Sequence, residues 1–191
     1  MRTLLQTLLI CLLVSTSVAL AQEHSPTGAA TPADNPLSAH NKAIYRGVKA
    51  IVLRSAEKMP EDKYGFRPTE VVRSFGQILG HIADAQYMFC STVLGETNPR
   101  PNIEKTMASK SDLIAALGEA FAYCDRAYDG MTDASASETV MIMGSDTPKL
   151  GGLTVNNVHT VEHYGNLVTY LRMNDIVPPT SDPEVMKELM K

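Results

Sequence analysis

Apolar side chains recur at helical spacing in four long stretches of this chain. From Pro36 to about Lys58 they fall at Leu37, Ile44, Val48, Ile51 and Val52; Asn35 stands at the cap position, Pro36 at the first helical position, and Met59-Pro60 ends the run. A second stripe, Phe75, Ile78, Leu79, Ile82, Ala85, Phe89 and Val93, follows a Ser74/Gln77 capping box and stops at Gly95. The third runs from about Lys110 to Tyr128, with Ser109 and Asp112 as its box and Leu113, Leu117, Ala120, Phe121 and Cys124 as its buried face. The fourth is expected to begin after Gly151-Gly152, with Thr154 as cap, and to run to Met173 before Pro178-Pro179. Four such helices predict an all-α, four-helix bundle. The connection Gly95 to Ser109 is long enough to cross over, because about 15 extended residues can run back along a 30 Å helix. Between the third and fourth helices, Val140 to Met143 reads as a strand or hairpin flap with Gly144 to Pro148.

The first residues have a different pattern. Arg2, an apolar run from Leu4 to Val14 and a small-residue exit at Ala19-Leu20-Ala21 read as a secretory signal peptide over residues 1–21, with an uncleaved anchor as the alternative. This predicts a secreted or periplasmic protein with no membrane span after cleavage. Residues 22–35, rich in Ala, Pro, Thr and Ser, read as a disordered spacer. The bundle domain is then 36–191, long enough for one core. With Trp absent and only 4 Phe, that core is expected from Leu, Ile, Val, Met and Ala. Losing Arg2 with the leader takes the net charge from −4 to about −5, and no basic patch or aromatic series favours a nucleic acid partner. A homodimer, common among bundles, is a further expectation.

Three histidines carry candidate chemistry. His159 and His163 lie four apart, hence on one helical face, and His81 lies in the second helix within Gly80-His81-Ile82-Ala83-Asp84. Two imidazoles facing a core need a reason to be there, and three neutral nitrogens would leave a divalent ion an open position. Each histidine alone also fits a satisfied polar group at a core edge. His24, in the spacer, and His40, near the start of the first helix, have no such setting. Cys90 and Cys124 stand at matching depths in the second and third helices, so a disulfide requires those helices to be parallel; two buried free thiols are the alternative. Cys90 is also half a turn from His81, which would put the histidine helix on the opposite flank and gives the spatial order 1-4-2-3.

A lone histidine in the second helix followed by His-x-x-x-His in the fourth resembles the DinB/YfiT family of four-helix-bundle metalloenzymes. The similarity extends to Phe66-Arg67-Pro68, Gly80 to Asp84, and His159 to Asn166 running into Tyr170-Leu171-Arg172. It implies the 1-4-2-3 linkage and a divalent metal ion, zinc, nickel or manganese, on His81, His159 and His163. It also implies chemistry of the thiol S-transferase or isomerase kind. His159-x-x-Glu162-His163 matches the inverted zinc-protease signature too, but such peptidases are larger and draw an acidic ligand from far downstream.

An ion held by three imidazoles keeps its charge and would act as a Lewis acid. Glu162 and Asp84 are the acidic groups placed for an acid, base or orienting part, although both also fit solvated or supporting positions; Tyr87, Tyr164 and Asn166 are candidate pocket residues. Zinc is the first choice of ion. The expected function is an extracytoplasmic metal-dependent hydrolase or thiol S-transferase acting on a small-molecule substrate. The alternatives are a non-catalytic metal-binding bundle and a structural module that keeps the cluster without using it. Ligation by histidine should weaken as pH falls through about 6.5.

Overall fold

The computed structural model describes residues 35–189. The expected signal peptide and nearly all of the spacer lie outside the described residues. The elements are α1 (Pro36–Lys58), α2 (Phe75–Leu94), the single turn α3 (Ile103–Thr106), α4 (Lys110–Gly130), strands β1 (Thr139–Ile142) and β2 (Ser145–Pro148), α5 (Lys149–Arg172) and α6 (Pro183–Leu189). No helix among the described residues is long and apolar enough to cross a membrane.

The chain forms the four-helix bundle that its periodicity predicts. α2 packs on α4 and α5, and α1 packs on α4 and α5, so the order around the bundle is α1, α5, α2, α4. This is the 1-4-2-3 linkage. Pairs between α2 and α4 climb in one direction: Gly76 meets Leu113, Cys90 is bonded to Cys124, and Glu96 pairs with Arg126. Those two helices are therefore parallel, and the chain from Gly95 to Ser109 returns along the bundle to connect them. Between α2 and α5 the pairs run in opposite directions, with Val93 near Gly152 and Gln86 bonded to Asn156.

The core is more aromatic and more polar than composition suggested. Tyr128, Phe75 and Phe121 are among its largest fully buried side chains, and the ring of Tyr45 stacks on that of Tyr128 at 3.8 Å. Gln86 and Asn156, both fully buried, pair through Asn156 Nδ2 and Gln86 Oε1 at 2.9 Å, and Gln86 Nε2 donates to Thr160 Oγ1 at 2.9 Å. Tyr128 donates to Asn157 Oδ1, and Asn157 Nδ2 donates to Asn41 Oδ1 at 2.8 Å. Buried amides cost free energy unless they are paired, so this layer ties all four long helices to one register. It also explains why Leu37 and Ile44 are exposed: α1 buries Ser38, Asn41 and Tyr45 instead.

Helix ends depart from expectation in two places. Asn35 makes no cap bond; Asp133 supplies the cap from the α4–β1 connection, accepting from the Leu37 and Ser38 amides. The fourth long helix begins at Lys149, three residues before Gly152, and Thr154 bonds back to the Leu150 carbonyl instead of capping. Gly152 lies inside the helix because the β1–β2 hairpin folds against it. A Cβ there would stand 2.4 Å from Ile142 Cδ1.

The Cys90–Cys124 bond spans Cα atoms 5.3 Å apart and closes a sequence separation of 34. Replacing both residues by alanine should lower unfolding free energy by about 2–4 kcal/mol, read from urea midpoints. An unchanged midpoint would mean that packing of α2 on α4 already imposes the restraint.

Candidate metal centre

The antiparallel packing of α2 and α5 sets one ring opposite two. His81 is on α2, and His159 and His163 are one turn apart on α5. His81 Nε2 and His163 Nε2 each lie 3.1 Å from His159 Nε2, and the three ligand nitrogens all fall within 4.8 Å of one another. Nitrogens bound at about 2.0–2.1 Å around a tetrahedral centre stand roughly 3.3 Å apart, so the spacing and donor chemistry fit a divalent ion. Without a cation, the approach of three imidazole nitrogens is satisfied only in part by N–H to N bonds. The cluster is therefore able to hold a metal ion.

Glu104 supports His81 from the side away from the other rings. The His81 Nδ1 lies 3.1 Å from Glu104 Oε2, a carboxylate acceptor that favours the proton on Nδ1 and leaves the Nε2 lone pair toward the cluster. The other Glu104 oxygen accepts from Arg73 Nε at 2.9 Å. Glu104 is held in turn by α2: Asp84 accepts from the Ile103 and Glu104 amides at 2.8 and 3.0 Å, and thereby caps α3. Gly80 leaves room for this, since a Cβ there would lie 2.7 Å from Glu104 Cα. Gly80, His81 and Asp84 are thus three parts of one docking arrangement. His163 Nδ1 has Asn166 Nδ2 at 3.4 Å, while His159 Nδ1 is buried with no protein partner among the described residues. Phe89 packs against the His159 ring at 5.8 Å.

Other expected residues are dispersed. Glu162 is exposed and makes no hydrogen bond among the described residues. Asp84 is half-buried and occupied by two amides, instead of lying in solvent. Tyr87 faces α4 beside Tyr123, and Tyr164 pairs with Thr180 near the C-terminus; neither joins the cluster. His40 is exposed, and His24 lies outside the described residues. Glu104 and Arg73 were missed. Both sit in connections without periodicity, and only the Gly80 and Asp84 flanks of His81 hint that something docks there.

A cleft of about 440 Å³ beside the cluster is lined by Val71, Val72, Arg73, Glu104, His163 and Asn166, among others. A larger depression of about 580 Å³ at α1 and α6 is lined by charged residues such as Arg54, Lys58 and Glu184 and contains no histidine. The first cleft is the one adjoining the chemistry.

These features define a class: a helical bundle with crossover connections and three histidines converging between its second and last long helices. The chain belongs to the DinB superfamily, whose family model matches residues 45–167. Its fold is similar to the crystal structure of a DinB-like protein from Bacillus cereus ATCC 10987, with a TM-score of 0.62 and 13% identity over 69% of this chain and 89% of that one. Comparison with functionally curated proteins yields no match.

Burial keeps two of the rings neutral. It lowers the pKa of His159 to about 4, with repulsion from His163 and His81 adding to the effect. His163 is also lowered to about 4, first by burial and then by His81 and Arg73. The protonation expected near 6.5 therefore moves well down for these two rings. In metal-free protein, the unfolded chain takes up protons at both rings below about 6.5, whereas the folded chain resists until about 4. Stability should accordingly fall as pH drops through that window. Urea midpoints of chelator-treated protein at pH 7 and pH 5 should differ more for wild type than for the His159→Gln/His163→Gln variant.

Gly80→Ala should force α3 off α2, costing about 1–3 kcal/mol in denaturant unfolding. With Glu104 displaced, zinc affinity measured by calorimetry should fall by roughly tenfold or more. Unchanged affinity would show that Glu104 does not orient His81.

Proposed function

We propose that this chain is an extracytoplasmic DinB-superfamily protein that binds a divalent metal ion, zinc first and nickel or manganese next, through His81, His159 and His163. The ion serves a reaction of hydrolase or thiol S-transferase type on a small molecule. The convergence of the three Nε2 atoms carries this reading. When bound, the ion supplies Lewis-acid polarisation of a substrate oxygen or sulfur. The protein supplies the rest: Glu104 holds the His81 proton at Nδ1, burial keeps His159 and His163 unprotonated, and Phe89 shields one side of the His159 ring. Glu162, next to His163 in the chain, exposed and without a hydrogen bond among the described residues, is the side chain we assign to proton transfer. Asp84 acts by holding Glu104.

The extracytoplasmic part of the proposal is supported by the leader-like residues 1–21 and by a disulfide within the core, a bond that persists in oxidising compartments. Because the rings come from two different helices, a metal-stabilised bundle without catalysis is the second reading.

Protein purified without tags or added metal should carry about one ion per chain, and His81→Ala should lose it. If His81→Ala melts near the wild-type temperature, the ion serves chemistry, and ester, phosphoester, amide and thiol-conjugation substrates should then be screened. If it unfolds, the ion is structural. Full metal occupancy in His81→Ala would remove the three-histidine site.

A further inference from the structure

Resting on the metal reading above, we infer that Arg73 recognises an oxyanion of the substrate, a carboxylate or phosphoryl group joined to a short apolar body that lies along Val71 and Val72. The cleft these residues line is also lined by His163 of the histidine cluster and by Glu104, which bonds His81, so a molecule filling it lies beside the cluster. Arg73 is held on two sides. Its carbonyl accepts from the buried Tyr170 hydroxyl at 2.8 Å, and its Nε donates to Glu104. Its two Nη atoms make no hydrogen bond among the described residues, and the side chain remains 43% exposed. A guanidinium fixed at the backbone and at Nε presents a planar edge with N–H donors matched to a pair of anionic oxygens.

The local charge balance agrees. Each Glu104 oxygen is already engaged, one by Arg73 and the other by His81, so the carboxylate is committed within the wall. A divalent ion on three neutral rings, together with Arg73 and Glu104, leaves the site with about two positive charges, which favours an anionic occupant. Part of the lining is apolar. Val71 is 92% exposed and Val72 40% exposed, an unusual position for two branched aliphatic side chains beside a polar cleft. Exposed Asn166 adds an amide to the same wall. Arg73 is thereby a substrate-binding residue, in addition to its bond with Glu104.

Cobalt(II) in the histidine site provides the test, because its visible spectrum responds to molecules entering beside it. Acetate, butyrate and inorganic phosphate are titrated into cobalt-loaded wild type, Arg73→Gln and Arg73→Lys. At saturating cobalt all three proteins should be loaded, with Arg73→Gln needing more cobalt to reach that point because Glu104 loses one of its partners, and loaded Arg73→Gln should bind the favoured oxyanion about tenfold more weakly, with Arg73→Lys intermediate. Butyrate should exceed acetate by roughly three- to tenfold if the valines receive its chain. Preference for butyrate or for phosphate distinguishes a carboxylate from a phosphoryl substrate. Cobalt uptake with equal oxyanion affinity in wild type and Arg73→Gln overturns the inference and leaves the metal site standing. Loss of cobalt in Arg73→Gln reduces Arg73 to a support for Glu104 and also overturns it. Failure of wild type to take up cobalt removes the metal reading, and this inference with it.

Discussion

The register between α2 and α5 is the constraint on which the site depends. In a fully buried layer Asn156 Nδ2 donates to Gln86 Oε1, and Gln86 Nε2 donates to Thr160 Oγ1. His81 lies five residues before Gln86, and His159 lies between Asn156 and His163 on the other helix. Sliding one helix by a single residue would shift it 1.5 Å and turn it 100°, leaving both amides without partners at a cost of about 1–3 kcal/mol each. The same slip would pull the imidazoles apart. Polar groups that contribute little net stability therefore keep three nitrogens within ligating range.

The connectivity does a second job. Because α2 and α4 are parallel, the chain leaving α2 must travel back along the bundle before α4 can start. That return carries Ile103–Thr106 past His81, where Gly80 permits backbone contact and Asp84 caps the turn. An antiparallel hairpin of helices would have needed only a short loop, with no segment passing this place. The long crossover is thus the means by which a carboxylate reaches the His81 ring, and Glu104 passes the restraint on to Arg73.

Much of this was legible in the residues. The capping box at Ser74 and Gln77 marks the start of α2, and the structure forms both of its hydrogen bonds. The Val140 to Pro148 hairpin was readable from its apolar run Val140 to Met143, and the His159 and His163 pair from its spacing. The α5 start was misread because Gly151-Gly152 has the composition of a break. In fact Gly152 sits in a helix and answers a steric demand from Ile142, which a one-dimensional pattern cannot contain. The α1 face was misread for a similar reason: Ser38 and Asn41 look solvent-facing until Asp133 and Asn157 are placed opposite them.

The amino-acid order alone determined four helices, their approximate limits and the pairing of His159 with His163, because helical periodicity is a local property set by residues three and four apart. It also offered the parallel placement of Cys90 and Cys124 as a consequence of equal depth. Only the tertiary structure decided that Glu104 orients His81, that Asp84 holds Glu104 and that Arg73 faces the cleft. Those contacts join segments about 20 to 30 residues apart through a connection without periodicity, and their geometry exists only once the bundle has closed.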